Sequence, residues 1–105
     1  MPSEPRFDEA IHAPTRLRLC AMLRPIDFAE FPGLMERLGI SEANLSKTVR
    51  RLVELGYATT SKHASPEHDD RRRRTRVALT DAGRRAFDGH LAALQQLALE
   101  AGAEQ

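Results

Sequence analysis

The segment GISEANLSKTVRRLVELG, residues 39–56, decides the fold of this 105-residue chain. Ser41 is a good helix N-cap, because its side-chain oxygen can accept a hydrogen bond from an early amide. Gly39 before it and Gly56 after it can take positive φ without strain, which is how many helices end. The segment therefore predicts a helix over residues 41–55 that begins directly after a short turn.

The two faces of this predicted helix differ in chemistry. Leu45, Val49, Leu52 and Val53 form an apolar face suited to anchoring the helix. An Asn can read an adenine edge through paired hydrogen bonds, Lys and Arg can reach guanine or phosphate, and a Ser hydroxyl can contact phosphate. The residues predicted to contact DNA in this way are Ser41, Asn44, Ser46, Lys47, Arg50 and Arg51. The alternative is an ordinary amphipathic surface helix.

The residues upstream predict two more helices. Pro14 is a favourable first-turn residue, and Pro25 ends the helix that it starts. A second, short helix runs from about Pro32 to the stop at Gly39. Residues 26–31 form a brief strand or turn, and a short helix or turn around residues 7–11 precedes the first helix. Two helices joined by the turn at residues 39–41 are typical of a helix-turn-helix, whose second helix enters the major groove of DNA.

The residues downstream predict a charged hairpin, or wing, over residues 63–76. Residues 57–62 and 75–79 read as strands, because they are rich in Thr and alternate in polarity. Repelling guanidinium groups on one flexible tip gain little unless an anion such as DNA neutralises them. The arginines assigned to this DNA contact are Arg71, Arg72, Arg73, Arg74 and Arg76. The alternative is local neutralisation by Glu67, Asp69 and Asp70.

Charge is distributed unevenly along the chain. The formal net charge is +1, yet residues 41–80 carry nine Lys or Arg against five Asp or Glu. The remaining residues carry seven against ten. A basic middle with acidic flanks favours one anion-binding face, and the alternative is a solvated surface with no partner.

The last predicted helix starts at the N-cap Thr80 and runs to about Ala101. Its apolar residues follow the spacing of a coiled-coil seam, which favours an isologous dimer. The predicted dimer interface comprises Phe7, Ile11, Phe87, Leu91, Leu94, Ala98 and Ala101. The alternative is packing within one chain, which is expected for the first turns around Phe87.

Other kinds of site find little support in the sequence. The single cysteine, Cys20, allows no thiolate metal cage within one chain and is expected in the core. A metal site on the wing from His63, His68, Asp69 and Asp70 is a minor alternative. The sequence contains no phosphate-binding loop and no nucleophile elbow. We therefore expect that the protein binds no cofactor and is not an enzyme. No apolar run approaches ~18 residues, so we expect no membrane span and a cytoplasmic location.

Two stretches resemble winged-helix regulators related to the MarR group. They are NLSKTVRRLVELGY, residues 44–57, and LTDAGRRAF, residues 79–87, separated by an arginine-rich loop. The segment HLAAL, residues 90–94, is similar to a compact bacterial subfamily. The resemblance spans about residues 14–97 and implies a winged-helix fold, homodimerisation through terminal helices and transcriptional control. The chain departs from that pattern between the first two helices, which are about three residues further apart, and at Pro32, where a Thr or Ser cap is typical.

Together these features predict one domain over residues 1–105, mainly α with a small β-hairpin wing (α+β). It is a winged helix-turn-helix with a three-helix core and wing over about residues 7–80 and a long C-terminal dimerisation helix over residues 80–101. The expected function is a homodimeric transcriptional regulator that binds a near-palindromic operator in double-stranded DNA. The alternatives are a winged-helix protein-interaction module and a ligand- or metal-responsive sensor with the same fold.

Overall fold

A computed structural model describes residues 3–62 and 74–103 of the chain, which form an elongated body of 59 × 26 × 21 Å. The elements in these ranges are α1 (Glu9–His12), α2 (Pro14–Leu23), β1 (Ala29–Glu30), α3 (Phe31–Leu38), α4 (Glu42–Glu54), β2 (Ala58–Lys62), β3 (Thr75–Leu79) and α5 (Asp81–Ala103). The mainly helical fold with a small antiparallel sheet is confirmed. In the described ranges no helix is both long and apolar enough to cross a membrane.

The helices begin where the local sequence predicts. Ser41 Oγ accepts a hydrogen bond from the Asn44 amide at 3.1 Å, so α4 has the predicted N-cap. Thr80 Oγ1 accepts one from the Gly83 amide at 3.0 Å at the start of α5. Asp8 was not predicted as a cap, yet its carboxylate accepts from two amides of α1, at 2.9 and 3.1 Å.

The turn between α3 and α4 depends on Gly39. Its φ is 66°, in the left-handed region that side chains with a Cβ rarely adopt, and its amide donates to the Met35 carbonyl at 2.8 Å. Only Gly39, Ile40 and Ser41 separate the two helices, so α4 leaves α3 at a fixed orientation. The predicted helix-turn-helix is therefore present in the structure.

The sheet has three strands in the order β1-β3-β2, all antiparallel. Val77 of the central strand pairs with Ala29 on one side and with Thr60 on the other. The predicted hairpin thus gains a third strand at the segment for which the sequence left a strand or a turn open. Strand β1 can be as short as two residues, because it pairs with β3, which is already ordered by its pairing with β2.

The hydrophobic core lies between the sheet and helices α1 to α5. Its buried members are Ile11, Leu19, Cys20, Leu23, Phe31, Leu34, Leu38, Leu45, Val49, Leu52, Ala58, Val77, Leu79 and Phe87. Three of the four predicted anchors of α4 are in this core, but Val53 is 41% exposed and its assignment was wrong. Thr48 is buried instead, at 7% exposure, because it continues the face of Leu45 and Leu52.

Two residues assigned to the dimer interface lie inside this core. Ile11 is fully buried and Phe87 is 6% exposed, because α1 folds back against α5. Neither side chain offers surface to a partner, so both assignments to the interface were wrong, and Phe87 packs within the chain, as the alternative expected.

Candidate nucleic-acid interface

Helix α4 presents a polar and cationic face to solvent. Asn44, Lys47, Arg50 and Arg51 are exposed, and Ser46 is half-buried. Asn44 and Lys47 are three residues apart, and Lys47 and Arg51 are four apart, so these three side chains share one stripe of the helix. An exposed stripe of an amide, an ammonium and a guanidinium can hydrogen-bond to both base edges and phosphates.

The opposite face of α4 holds the helix to the domain. Leu45 and Leu52 are fully buried and Val49 is 4% exposed. Burying a side chain of this size stabilises the fold by about 1.5–3 kcal/mol relative to leaving it exposed. The polar stripe therefore lies on a helix whose opposite face is packed in the hydrophobic core.

Thr48 belongs to this site although it was not among the predicted site residues. Its hydroxyl donates to the Asn44 carbonyl at 2.8 Å and lies 3.3 Å from the Asn44 side-chain Oδ1. The exposed side chain of Asn44 is thus in contact with a buried hydroxyl through its Oδ1. In the sequence, Thr48 could have been identified from its position four residues after Asn44 on the anchoring face, where a hydroxyl can hydrogen-bond to the preceding turn.

An open groove of about 450 Å³ runs between the start of α2 and the exposed stripe of α4. Residues 13–16 form one wall, and Asn44, Lys47 and Arg51 are among the residues of the other wall. The Arg16 guanidinium is held there, with its Nε donating to the Ala10 carbonyl at 2.5 Å. Glu54 also lines the groove, but it is outnumbered by Arg16, Lys47, Arg50 and Arg51, so this concave surface favours an anionic ligand.

The wing is described only at its base. The predicted contact residues Arg71, Arg72 and Arg73, and the alternative metal ligands His63, His68, Asp69 and Asp70, lie outside the described residues. Arg74 is 7% exposed, so its placement on a projecting tip was wrong. It stands immediately before β3, where the chain enters the packed sheet. Arg76 lies on β3 with its guanidinium carbon 4.1 Å from the centre of the Phe28 ring.

A polar cluster behind α4 joins the N-terminal residues to α5. The Tyr57 hydroxyl donates to Asp8 Oδ2 at 2.6 Å, and the Asp8 amide donates to His90 Nδ1 at 3.0 Å. His12 Nδ1 lies 3.1 Å from His90 Nε2, and the Phe7 ring packs against both imidazoles. This cluster ties Tyr57, which follows the end of α4, to both α1 and α5.

The hydrogen bonds fix the tautomer of His90. His90 Nδ1 accepts from a backbone amide, so the proton of its neutral ring is on Nε2, which lies 3.1 Å from His12 Nδ1. A proton added at Nδ1 of His90 would point at the Asp8 amide, which is itself a donor. Burial, together with the nearby His12, lowers the pKa of His90 below its usual 6.5, while Asp8 acts in the opposite direction.

We expect the stability of the fold to fall on mild acidification. A depressed imidazole pKa means that the unfolded chain binds the proton more readily than the folded chain. The stability from this cluster is therefore present above about pH 6.5 and is lost as the pH falls through the lower pKa of folded His90. Urea unfolding at about pH 7.5 and about pH 5.5 measures this loss. His90→Gln is the matched control, because its side chain does not titrate. Equal losses in both proteins would contradict the assignment.

The apolar face of α5 is buried in its first turns and becomes exposed toward the C-terminal end of the helix. Ala93 is 9% exposed and Leu94 is half-buried, but Leu97, one turn further, is 53% exposed. Leu91 is 40% exposed, and Ala98 and Ala101 are also exposed. The structure therefore brings the predicted residues of the last turns onto solvent-facing surface, and it adds Leu97, which the seam spacing did not include.

Cys20 is buried in the core, as predicted. Burial, with a smaller contribution from the Asp8 charge, raises the pKa of its thiol to about 12. The thiol is therefore neutral and packs as a small apolar side chain. Within residues 3–62 and 74–103, no three His, Cys, Asp or Glu side chains are grouped so as to hold a metal ion.

Comparison with known proteins gives consistent matches. A family described as winged helix DNA-binding domain matches residues 15–98. An uncharacterized protein of Methanocaldococcus jannaschii is 29% identical over 82 residues, which cover 78% of this chain and 85% of that protein. Among solved structures, a transcriptional regulator homologue from Pyrococcus horikoshii OT3 superposes with a TM-score of 0.78 at 26% identity, covering 93% of this chain and 91% of that one. A probable transcriptional regulator from Pseudomonas aeruginosa gives a TM-score of 0.63 at 25% identity, over 88% of this chain and 65% of that one.

Proposed function

Because this chain belongs to the winged helix DNA-binding domain family, we propose that it binds a near-palindromic operator in double-stranded DNA as a homodimer and thereby controls transcription. The observation that carries the proposal is the exposed stripe Asn44–Lys47–Arg51 on the second helix of a helix-turn-helix. Two solved structures with the same fold, a transcriptional regulator homologue and a probable transcriptional regulator, support the same function.

In the proposed complex, α4 lies in the major groove. The N-terminal half of such a helix contacts base edges, which assigns base reading to Asn44 and Lys47. Ser41, Ser46, Arg50 and Arg51 then contact base edges or flanking phosphates. The groove between α2 and α4 receives the phosphate backbone, since both of its walls carry cations.

The wing contacts DNA beside the site that α4 occupies. Arg71, Arg72 and Arg73 supply cations to the backbone or to a narrow minor groove. Arg74 is left out of this contact, because it is buried at the base of the wing.

The proposed dimer forms through the last turns of α5. The chain itself leaves apolar surface of this helix uncovered, at Leu91, Leu94, Leu97, Ala98 and Ala101. Phe7, near the same helix, is 45% exposed. A second copy of the chain buries these residues through a two-fold interface. The two copies of α4 then reach successive major grooves about 34–36 Å apart, which is the spacing of a near-palindromic site.

Selection of bound duplexes from a random pool tests the proposal. We expect a consensus with two inverted half-sites about one helical turn apart. Sedimentation of the protein alone is expected to give twice the mass of the 11.8 kDa chain. Retention of duplexes without any consensus would contradict sequence-specific binding and would favour a protein-interaction module. A consensus bound by a single chain would contradict the dimer alone.

A further inference from the structure

An exposed aromatic ring lies against an arginine at the base of the wing. The Cζ atom of Arg76 is 4.1 Å from the centre of the Phe28 ring, which is the distance of a cation–π contact. Phe28 is 42% exposed and precedes β1, on the connection from α2. The Phe28 ring therefore forms a platform for the Arg76 guanidinium.

Arg76 occupies the outer surface of the sheet. Val77 and Leu79 of the same strand are buried, and side chains alternate along a strand, so Arg76 points away from the core. Glu30 is the cross-strand neighbour of Arg76 in the pairing of β1 with β3, yet no ion pair between the two is present in the described part of the chain. Phe28 thus holds this cation in place without neutralising its charge.

Stacking on a ring leaves a guanidinium ready to bind an anion. The Nε of Arg76 is buried and has no hydrogen-bond partner among the described residues. A phosphate therefore binds at the terminal N–H donors, which lie in the plane of the group and stay open when its face contacts a ring. The ring also restricts a side chain that is otherwise free to change rotamer, which reduces the ordering cost when the phosphate binds.

The position of the ring is itself fixed by α5. Arg84 donates to the Arg24 carbonyl at 2.7 Å and to the Ile26 carbonyl at 3.0 Å, which holds the connection just before Phe28. Ala29 then pairs with Val77, beside Arg76. Hydrogen bonds on one side and strand pairing on the other therefore hold Phe28 beneath Arg76.

We propose that Phe28 is a positioning residue that orients Arg76 toward a phosphodiester of the DNA backbone beside the wing. The proposal rests on the proposed function. It narrows the DNA contact predicted for Arg76 to a phosphate, and it adds the side chain that positions Arg76. Arg76 touches the DNA, and Phe28 acts through Arg76.

A double-mutant cycle tests this assignment, using the duplex selected above and several salt concentrations. Phe28→Leu keeps an apolar side chain but removes the aromatic face, and Phe28→Tyr keeps that face. We expect Phe28→Leu to weaken binding about two- to fivefold and Phe28→Tyr to leave it unchanged, from the usual strength of exposed cation–π contacts. Arg76→Ala is expected to reduce the slope of log affinity against log salt by about one. In the Arg76→Ala background, Phe28→Leu is then expected to have no further effect.

The outcomes distinguish the positioning role of Phe28 from the phosphate contact of Arg76 and from DNA binding itself. An equal effect of Phe28→Leu with and without Arg76 would show that Phe28 merely supports the fold and would overturn its positioning role. An unchanged salt slope in Arg76→Ala, with normal binding by the wild type, would overturn the phosphate contact but leave the proposed function standing. Absence of duplex binding by the wild type would overturn both. Urea unfolding of every variant identifies any loss of binding that comes from loss of the fold.

Discussion

Replacing Gly83 by alanine is expected to destabilise the fold by about 1–3 kcal/mol, the usual cost of forcing extra volume into a packed site. A Cβ at this position would lie 2.0 Å from the Tyr57 carbonyl oxygen and 2.9 Å from its carbonyl carbon. Both atoms belong to the backbone, so no side-chain rotation relieves the contact. The helix propensity of alanine, worth about 1 kcal/mol over glycine, does not offset this clash.

The matched control is Gly33→Ala in α3. Nothing lies within 4 Å of the Cβ that this substitution adds, so we expect a neutral or slightly stabilising effect. Urea unfolding of the two variants measures the difference. Equal stability of Gly83→Ala and the wild type would contradict the close approach of α5 to the chain that follows α4.

The position of Gly83 matters because α4 and α5 are joined there. Thr80 donates from its amide to the Tyr57 carbonyl at 3.0 Å and from its hydroxyl to the Gly56 carbonyl at 2.6 Å. The start of α5 is thus bonded directly to the end of the helix that carries the polar stripe. In a dimer formed through α5, this junction sets the separation of the two copies of α4.

Removal of a reading side chain is expected to cause the largest loss of DNA affinity. Asn44→Ala and Arg51→Ala each remove a donor from the exposed stripe of α4, and we expect each to cost about 1–3 kcal/mol where the side chain contacts a base. That range corresponds to about 5- to 150-fold weaker binding to the selected duplex. Titration of labelled duplex with each variant measures it.

Arg85→Ala is the control for the change in charge. Arg85 is exposed on α5 and is not among the residues that line the groove between α2 and α4, so its loss removes one positive charge and leaves that groove and the stripe unchanged. We expect at most a small effect, which salt screens. Equal weakening by Arg51→Ala and Arg85→Ala would mean that net charge, rather than the face of α4, determines binding.

Local signals predicted most of the helices and strands. The cap at Ser41 and the stop at Gly39 act within one turn of the chain, so they can be recognised without tertiary information. The alternation over residues 75–79 predicted β3 with its observed bounds, because one face of that strand is buried. Val53 was misassigned because an apolar residue at the edge of a helix face is buried only if a neighbour reaches it.

The rest of the site depends on contacts between distant residues. Ile11 was assigned to a dimer from its apolar character, and only the packing of α1 on α5 shows that the chain itself covers it. Asp8 and His90 are 82 residues apart in sequence and share no motif, so no spacing rule predicts their hydrogen bond. The stack of Phe28 on Arg76 likewise arises from the pairing of β1 with β3.

The salt dependence of wild-type binding, measured on the selected duplex and on a scrambled duplex of the same length, tests whether the chain binds DNA sequence-specifically. We expect tighter binding to the selected duplex at every salt concentration. We also expect the affinity for both duplexes to fall steeply as salt rises, because phosphate contacts by Lys and Arg release counterions. Equal affinity for the two duplexes, or affinity that does not change with salt, would contradict this expectation.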